Sequence, residues 1–273
     1  MRNYLKWMIP AGLLLYVYHP AFVWMYDRWT ARDSYYAHGF LIPLIAFYWI
    51  WKKKSELAST ERRAEWGALP VVLAAVLMQA GSGIFRVYFA SSFSFVTLVL
   101  SGVFFLFGRR IFRVIWYPLT FLYLMIPLPL LVISEVTLKL KFFVTEIAAF
   151  LLPYSGVQAV REGSYIYTPH AVVLVGDPCS GLRSFLAFLC LGLIFVYGAK
   201  MPFWKKALLV TAGIPLAILS NVVRVFSLSF LSEIYGTEAI IESWFHDFSG
   251  YAVFLAAFAA FLWLRKKLEA QNA

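Results

Sequence analysis

Long apolar runs, broken by short clusters of basic residues, dominate the chain. Runs of about 17–25 apolar residues predict helices long enough to cross a bilayer, with some shorter runs admitted. They fall at about 4–26, 36–51, 67–86, 88–107, 112–133, 179–198, 207–231 and 248–264. Pro43 interrupts the second run, and little more than Gly83-Ile84-Phe85-Arg86 separates the third from the fourth. The pattern changes over residues 134–178. Residues 134–153 space apolar side chains with Glu135, Lys139, Lys141 and Glu146, which predicts a helix lying in the membrane interface. Residues 156–175 are rich in β-branched and aromatic side chains and are punctuated by glycine and proline, which predicts a small β-hairpin leading to Cys179. The expected fold is an all-α polytopic membrane protein of about eight transmembrane helices, with an interfacial helix and a β-hairpin as a small insert over 134–178. With no Gly/Ser linker, low-complexity tract or internal repeat, residues 1–273 read as one integral-membrane domain.

Composition agrees: 62% of the 273 residues are hydrophobic and 14% are charged, where a soluble domain has about 25% charged residues. The net charge of +10 does not point to nucleic acid, because the basic residues cluster at alternate helix ends. On one side lie Lys52-Lys53-Lys54 with Arg62-Arg63, Arg109-Arg110 with Arg113, Lys200 with Lys205-Lys206, and Arg265-Lys266-Lys267. The other side carries only Arg28, Arg32, Arg86, Lys139, Lys141 and Arg161. That asymmetry is orientation charge, and it places both termini in the cytoplasm and residues 134–178 outside it. The first run lacks a small-residue cleavage site and is followed by more spans, so it reads as a retained helix.

The candidate chemistry lies on the outer face. Cys179 sits in Asp177-Pro178-Cys179-Ser180-Gly181-Leu182-Arg183-Ser184, where a polar turn runs into an apolar helix. Water on one side, a helix N-terminus behind it and Arg183 one turn on would all favour the thiolate, the form that attacks carbonyl carbon. Cys190 lies mid-helix, about 16 Å from Cys179 along one predicted helix, so the two cannot form a disulfide within the chain. Arg224 stands in the membrane about seven residues before the expected end of its helix, and intramembrane arginine is costly enough to need a purpose. His246 opens the last helix beside Asp247. The three share one membrane depth. A thiolate can form a thioester with a peptide carbonyl, a cation can stabilise the oxyanion, and an imidazole can carry the proton for the leaving amine. Blander readings stay open: Arg224 as a helix–helix tie, His246 as an interfacial histidine. Arg183 could activate the thiol, hold a substrate carboxylate or reach outward. His19 and His170 read as structural. With two cysteines, four histidines and no HExxH or CxxC spacing, no metal and no other cofactor is expected.

Cys179-Ser-Gly-Leu-Arg-Ser184, Asn221-Val-Val-Arg224 and Phe245-His246-Asp247-Phe-Ser-Gly250 resemble the exosortase/archaeosortase family. Asp33-Ser-Tyr35-Tyr-Ala-His38-Gly39 and Val160-Arg161-Glu-Gly163 are similar to further signatures of that family. The resemblance implies a multi-pass protein of the bacterial inner membrane with an extracytoplasmic active site. Its activity would be that of a cysteine protease or transpeptidase cleaving C-terminal sorting signals of exported proteins, each a short motif such as Pro-Glu-Pro, a transmembrane helix and a basic tail. Partners are then such signals, membrane lipids, and water or a lipid or glycan acceptor. The family's catalytic cysteine, arginine and third position map onto Cys179, Arg224 and His246. Histidine at the third position is the exosortase choice and arginine that of archaeal relatives. The resemblance implies proton donation by Arg224 and transition-state stabilisation by His246. A guanidinium with a pKa above about 12 is an awkward donor, so exchange of these two roles stays open. Arg183 and Arg161 are the candidate cations for a substrate carboxylate. The alternative is a transporter or a protein handling exopolysaccharide or lipid-linked glycan that binds an anion through Arg183 and Arg224. A catalytically silent scaffold for exopolysaccharide assembly is a third reading.

Overall fold

The computed structural model describes residues 2–32, 34–241 and 244–270, without the side chains of residues 2–7, 10, 11 and 178. Asp33 of the early motif lies outside the described residues. The chain is 80% helical with a small three-stranded sheet. Among the described residues, four helical stretches are long and apolar enough to cross a membrane: Trp66–Phe85, Tyr88–Met125, Phe203–Tyr235 and Trp244–Ala270. Leu41–Lys52 and Leu182–Val196 are shorter apolar helices. The protein is thus a multi-pass membrane protein, while the expected count of eight spans is not reached by length and composition alone.

The chain packs into two compact units, Met1–Pro129 and Leu130–Ala273. In the first, α1 (Arg2–Thr30), α2 (Leu41–Lys52) and α4 (Leu69–Phe85) pack on the long α5 (Tyr88–Phe121), and a short α3 (Lys54–Ser59) lies between α2 and α4. Polar side chains tie these apolar helices together, as expected where lipid supplies no competing hydrogen bonds. Tyr18 and Ser94 hydroxyls meet at 2.8 Å, Ser94 donates to the Ala75 carbonyl at 2.7 Å, and Ser91 donates to Gln79 Oε1 at 2.6 Å.

Two boundaries differ from the sequence reading. Pro43 does not interrupt α2, because the helix begins at Leu41 and the proline falls in its first turn, where a missing N–H costs nothing. The runs at 88–107 and 112–133 form one helix broken only at Gly108, and it gives way to a 3-10 turn at Leu122–Met125. Pro127 and Pro129 then stop helical hydrogen bonding, which explains why the expected extension to 133 fails.

In the second unit, α6 (Leu130–Leu151) and the sheet cover one side of the long α8 (Phe203–Tyr235), and α7 (Leu182–Val196) and α10 (Trp244–Ala270) cover another. A short α9 (Thr237–Ile241) joins α8 to α10. Small residues let the helices approach: a side chain at Gly213 would meet Phe188 Cβ at 3.0 Å, and one at Gly192 would meet Val210 Cα at 3.1 Å. The expected hairpin is a three-stranded antiparallel meander, β1 (Val160–Glu162), β2 (Tyr165–Tyr167) and β3 (Val172–Leu174). Val160 pairs with Tyr167, and Tyr167 with Val172. The extra strand follows from the Thr168-Pro169-His170-Ala171 segment, which closes a second reversal through Thr168 N–H and Oγ1, both donating to the Ala171 carbonyl. Alternation puts Ile166, Val173 and Val175 inside. Ile166 and Val175 join Val144, Ala148 and Leu152 of α6 and Val222 and Val225 of α8 in one apolar cluster.

Candidate active site

Cys179 enters this cluster from the sheet side. After β3, Asp177–Cys179 form a 3-10 turn in which Cys179 N–H donates to the Gly176 carbonyl at 3.0 Å. Lys141 Nζ holds Asp177 to α6 at 2.7 Å. The next residues reverse direction. Ser180 Oγ accepts the Leu182 N–H at 3.3 Å, and Gly181 has φ of +83°, a left-handed conformation that favours glycine. A side chain on Gly181 would also lie 3.1–3.2 Å from Asn221. That close approach lets Asn221 Nδ2 donate to the Cys179 carbonyl at 2.6 Å.

Two expectations are corrected here. The helix begins at Leu182 rather than at Cys179, so the thiol sits in the turn ahead of it. The thiol also lacks a watery side: Cys179 is 4% exposed and packs with Ile166, Val175, Val222 and Val225. Burial pushes its pKa up, the Arg224 charge pulls it down, and Asp247 pushes it up again, with burial the largest of the three. The cation that bears on the sulfur is Arg224; Arg183 is exposed on α7.

The sulfur faces the last helix. Cys179 Sγ lies 3.5 Å from His246 Nε2, within hydrogen-bond reach for sulfur. His246 is in the first turn of α10, and its carbonyl accepts Arg224 Nη2 at 3.0 Å and Ser249 Oγ at 2.7 Å. His246 Nδ1 is buried with no hydrogen-bond partner among the described residues. Arg224 is 9% exposed and lies against Gly250, where an added Cβ would meet its Cζ at 3.0 Å. Asn221, Arg224, Val225 and Leu228 share one buried stripe of α8, at the i, i+3, i+4 and i+7 spacing of a helix face. The helix runs on to Tyr235, so Arg224 stands deeper along it than expected, yet it still reaches the first turn of α10.

Cys179, Arg224 and His246 are therefore brought together across 67 residues of chain. Arg161 has other commitments: Nε donates to the Gly163 carbonyl at 3.0 Å, Nη1 lies 3.6 Å from Glu146, and the guanidinium covers Phe142. His170 pairs with Glu233 at 2.6 Å and ties the second sheet turn to the end of α8. Among the described residues, no cluster of histidine, cysteine and carboxylates is set to hold a metal ion. Asn221 and Gly250 are the site residues to which the sequence reading gave no role. Their signal was the shared helix register, three residues before Arg224 and four after His246.

The profile of the transmembrane exosortase family matches residues 29–263, and the chain belongs to that family. No curated protein and no solved structure matches the chain.

Proposed function

We propose that this exosortase cleaves the C-terminal sorting signals of exported proteins at its Cys179, forming an acyl-enzyme thioester. The observation that carries the reading is the 3.5 Å approach of Cys179 Sγ to His246 Nε2, with Arg224 bonded to the same histidine's carbonyl. In the proposed reaction the thiol proton passes to Nε2 as sulfur attacks the scissile carbonyl carbon. The Arg224 charge stabilises the oxyanion of the tetrahedral intermediate. Collapse breaks the C–N bond, and the imidazolium returns the proton to the departing amine of the downstream segment. Water or an acceptor amine then attacks the thioester and regenerates the thiol.

This division exchanges the roles implied by the resemblance, and two facts support it. Nε2 is the ring nitrogen facing the sulfur. A guanidinium holds its proton too tightly to give it up at neutral pH, yet makes a fixed cation. Because Cys179 is 4% exposed, a peptide reaches its sulfur only when the packing over it moves aside. Arg183, exposed on α7, and Arg161, beside Glu146, are the cations we assign to a substrate carboxylate. The test is cleavage of a fusion carrying a sorting signal, with kcat read against pH. Cys179→Ala abolishes cleavage, His246→Ala removes the acid limb of the profile, and Arg224→Gln lowers kcat and shifts the profile to higher pH, because the charge that favours the thiolate is lost. A profile unchanged in His246→Ala would remove His246 from proton transfer.

A further inference from the structure

The first unit carries a second chemical feature, unrelated to the thiol. Gly108 breaks α5 with φ of +81° and ψ of −178°. The break turns helix carbonyls outward, and the 61–65 segment fills the gap: Arg63 N–H donates to Phe107 O at 3.3 Å and Glu65 N–H to Phe105 O at 2.9 Å. A side chain at Gly108 would collide with the Arg63 carbonyl, so the glycine is required for this close approach. The result is a cavity of about 230 Å³ lined by Arg63, Arg109, Arg110 and Arg113, with Glu61 and Glu65.

Charge needed only for orientation has no reason to converge on a cavity. Here Arg110 pairs with Glu61, while Arg63, Arg109 and Arg113 have no acidic partner among the described residues. The lining keeps an excess of positive charge from a residue type whose planar donors match phosphate oxygens. The volume suits a phosphate-sized group with its waters and is below the roughly 300–1,000 Å³ of sites for larger organic ligands. Position adds to this. Gly108 follows the start of α5 at Tyr88 by about 20 residues, which is about 30 Å of helix and one hydrocarbon thickness. The arginines therefore emerge at the level of lipid phosphates.

The geometry points to a phosphate-binding site at the α5 break. An anionic phospholipid headgroup and free inorganic phosphate share this chemistry, and the experiment separates them. The full chain, purified in neutral detergent, is titrated with short-chain phosphatidylglycerol, with phosphatidylcholine and with inorganic phosphate, binding being read by native mass spectrometry and thermal shift. Variants are the Arg109→Gln/Arg113→Gln double mutant and, as a basic residue elsewhere, Lys200→Gln. Cys179→Ala is included because it removes the proposed nucleophile without touching this cavity. The site predicts saturable phosphatidylglycerol binding in wild type, Lys200→Gln and Cys179→Ala, weakened about tenfold or more in the double mutant. Displacement of the lipid by millimolar phosphate identifies a site open to the free anion. Lipid binding that phosphate leaves untouched identifies a headgroup site. Phosphate binding without lipid binding, lost in the double mutant, identifies a soluble ligand. Equal binding of phosphatidylcholine, unaltered binding in the double mutant, or binding of neither anion by wild type overturns the proposal.

Discussion

Asn221 offers the sharpest test of how the thiol is positioned. Its amide donates to the Cys179 carbonyl at 2.6 Å, both groups lie in the interior, and its side chain packs against Gly181. Asn221→Leu keeps the branched shape of the side chain beside Gly181 but removes the donor. The Cys179 carbonyl would then sit in an apolar cluster without this partner, a cost of about 1–3 kcal/mol. Relief comes from rotation of the 177–180 turn, which carries the sulfur away from His246 Nε2. If the whole cost appears in the chemical step, cleavage slows about five- to 150-fold. The assay is initial-rate cleavage of a sorting-signal fusion in detergent, with thermal unfolding followed in parallel. A fall in kcat at nearly constant KM is expected, because the bond places the nucleophile and does not touch substrate. Wild-type kcat in a protein with a lowered unfolding temperature would refute this reasoning and leave Asn221 a packing residue.

Burial raises the Cys179 pKa while Arg224 lowers it and Asp247 raises it. In a Cys190→Ala background, alkylation should therefore climb at a pH above the ordinary thiol range; Arg224→Gln should move the midpoint up and Asp247→Asn down. A midpoint below about 8.5, the free-cysteine value, would contradict the burial argument. The raised value also means that the neutral thiol favours the folded state below the unfolded pKa, and that this contribution is lost as pH rises through the folded one. The charge asymmetry predicts that a cysteine at Val160, exposed on β1, reacts with an impermeant thiol reagent in intact cells. Trp204→Cys, at the start of α8, should react only after the inner face is opened; the reverse pattern inverts the topology. Arg183→Ala should impair cleavage of a Glu-containing signal more than of its Gln variant, and an equal loss on both would rule out charge recognition.

Much of the site was legible because helix register is strict. Arg224 and His246 stood out as polar groups at defined depths in apolar runs, and each meets its neighbour once α8 and α10 form. Local sterics were harder to read. The residues after Cys179 look like a helix start by apolar content, yet the left-handed Gly181 delays α7 to Leu182. The thiol's burial depends on Ile166 and Val175 from the sheet and Val222 and Val225 from α8, and no sequence window contains those contacts together. The third strand was hidden because the turn that precedes it is closed by backbone and a threonine hydroxyl. Arg161 was visible as a cation near the cysteine, but its capture by Glu146 and Phe142 is a tertiary fact.

The proposed covalent intermediate on Cys179 can be trapped. The full chain is incubated with a sorting-signal substrate, quenched in acid, digested and examined by mass spectrometry. The peptide containing Cys179 should carry the mass of the substrate's N-terminal portion, through a bond that hydroxylamine cleaves. The Cys190 peptide should remain unmodified, and Cys179→Ala should yield neither adduct nor product. Product formation by Cys179→Ala at the wild-type rate, or an adduct confined to Cys190, would contradict the proposed intermediate.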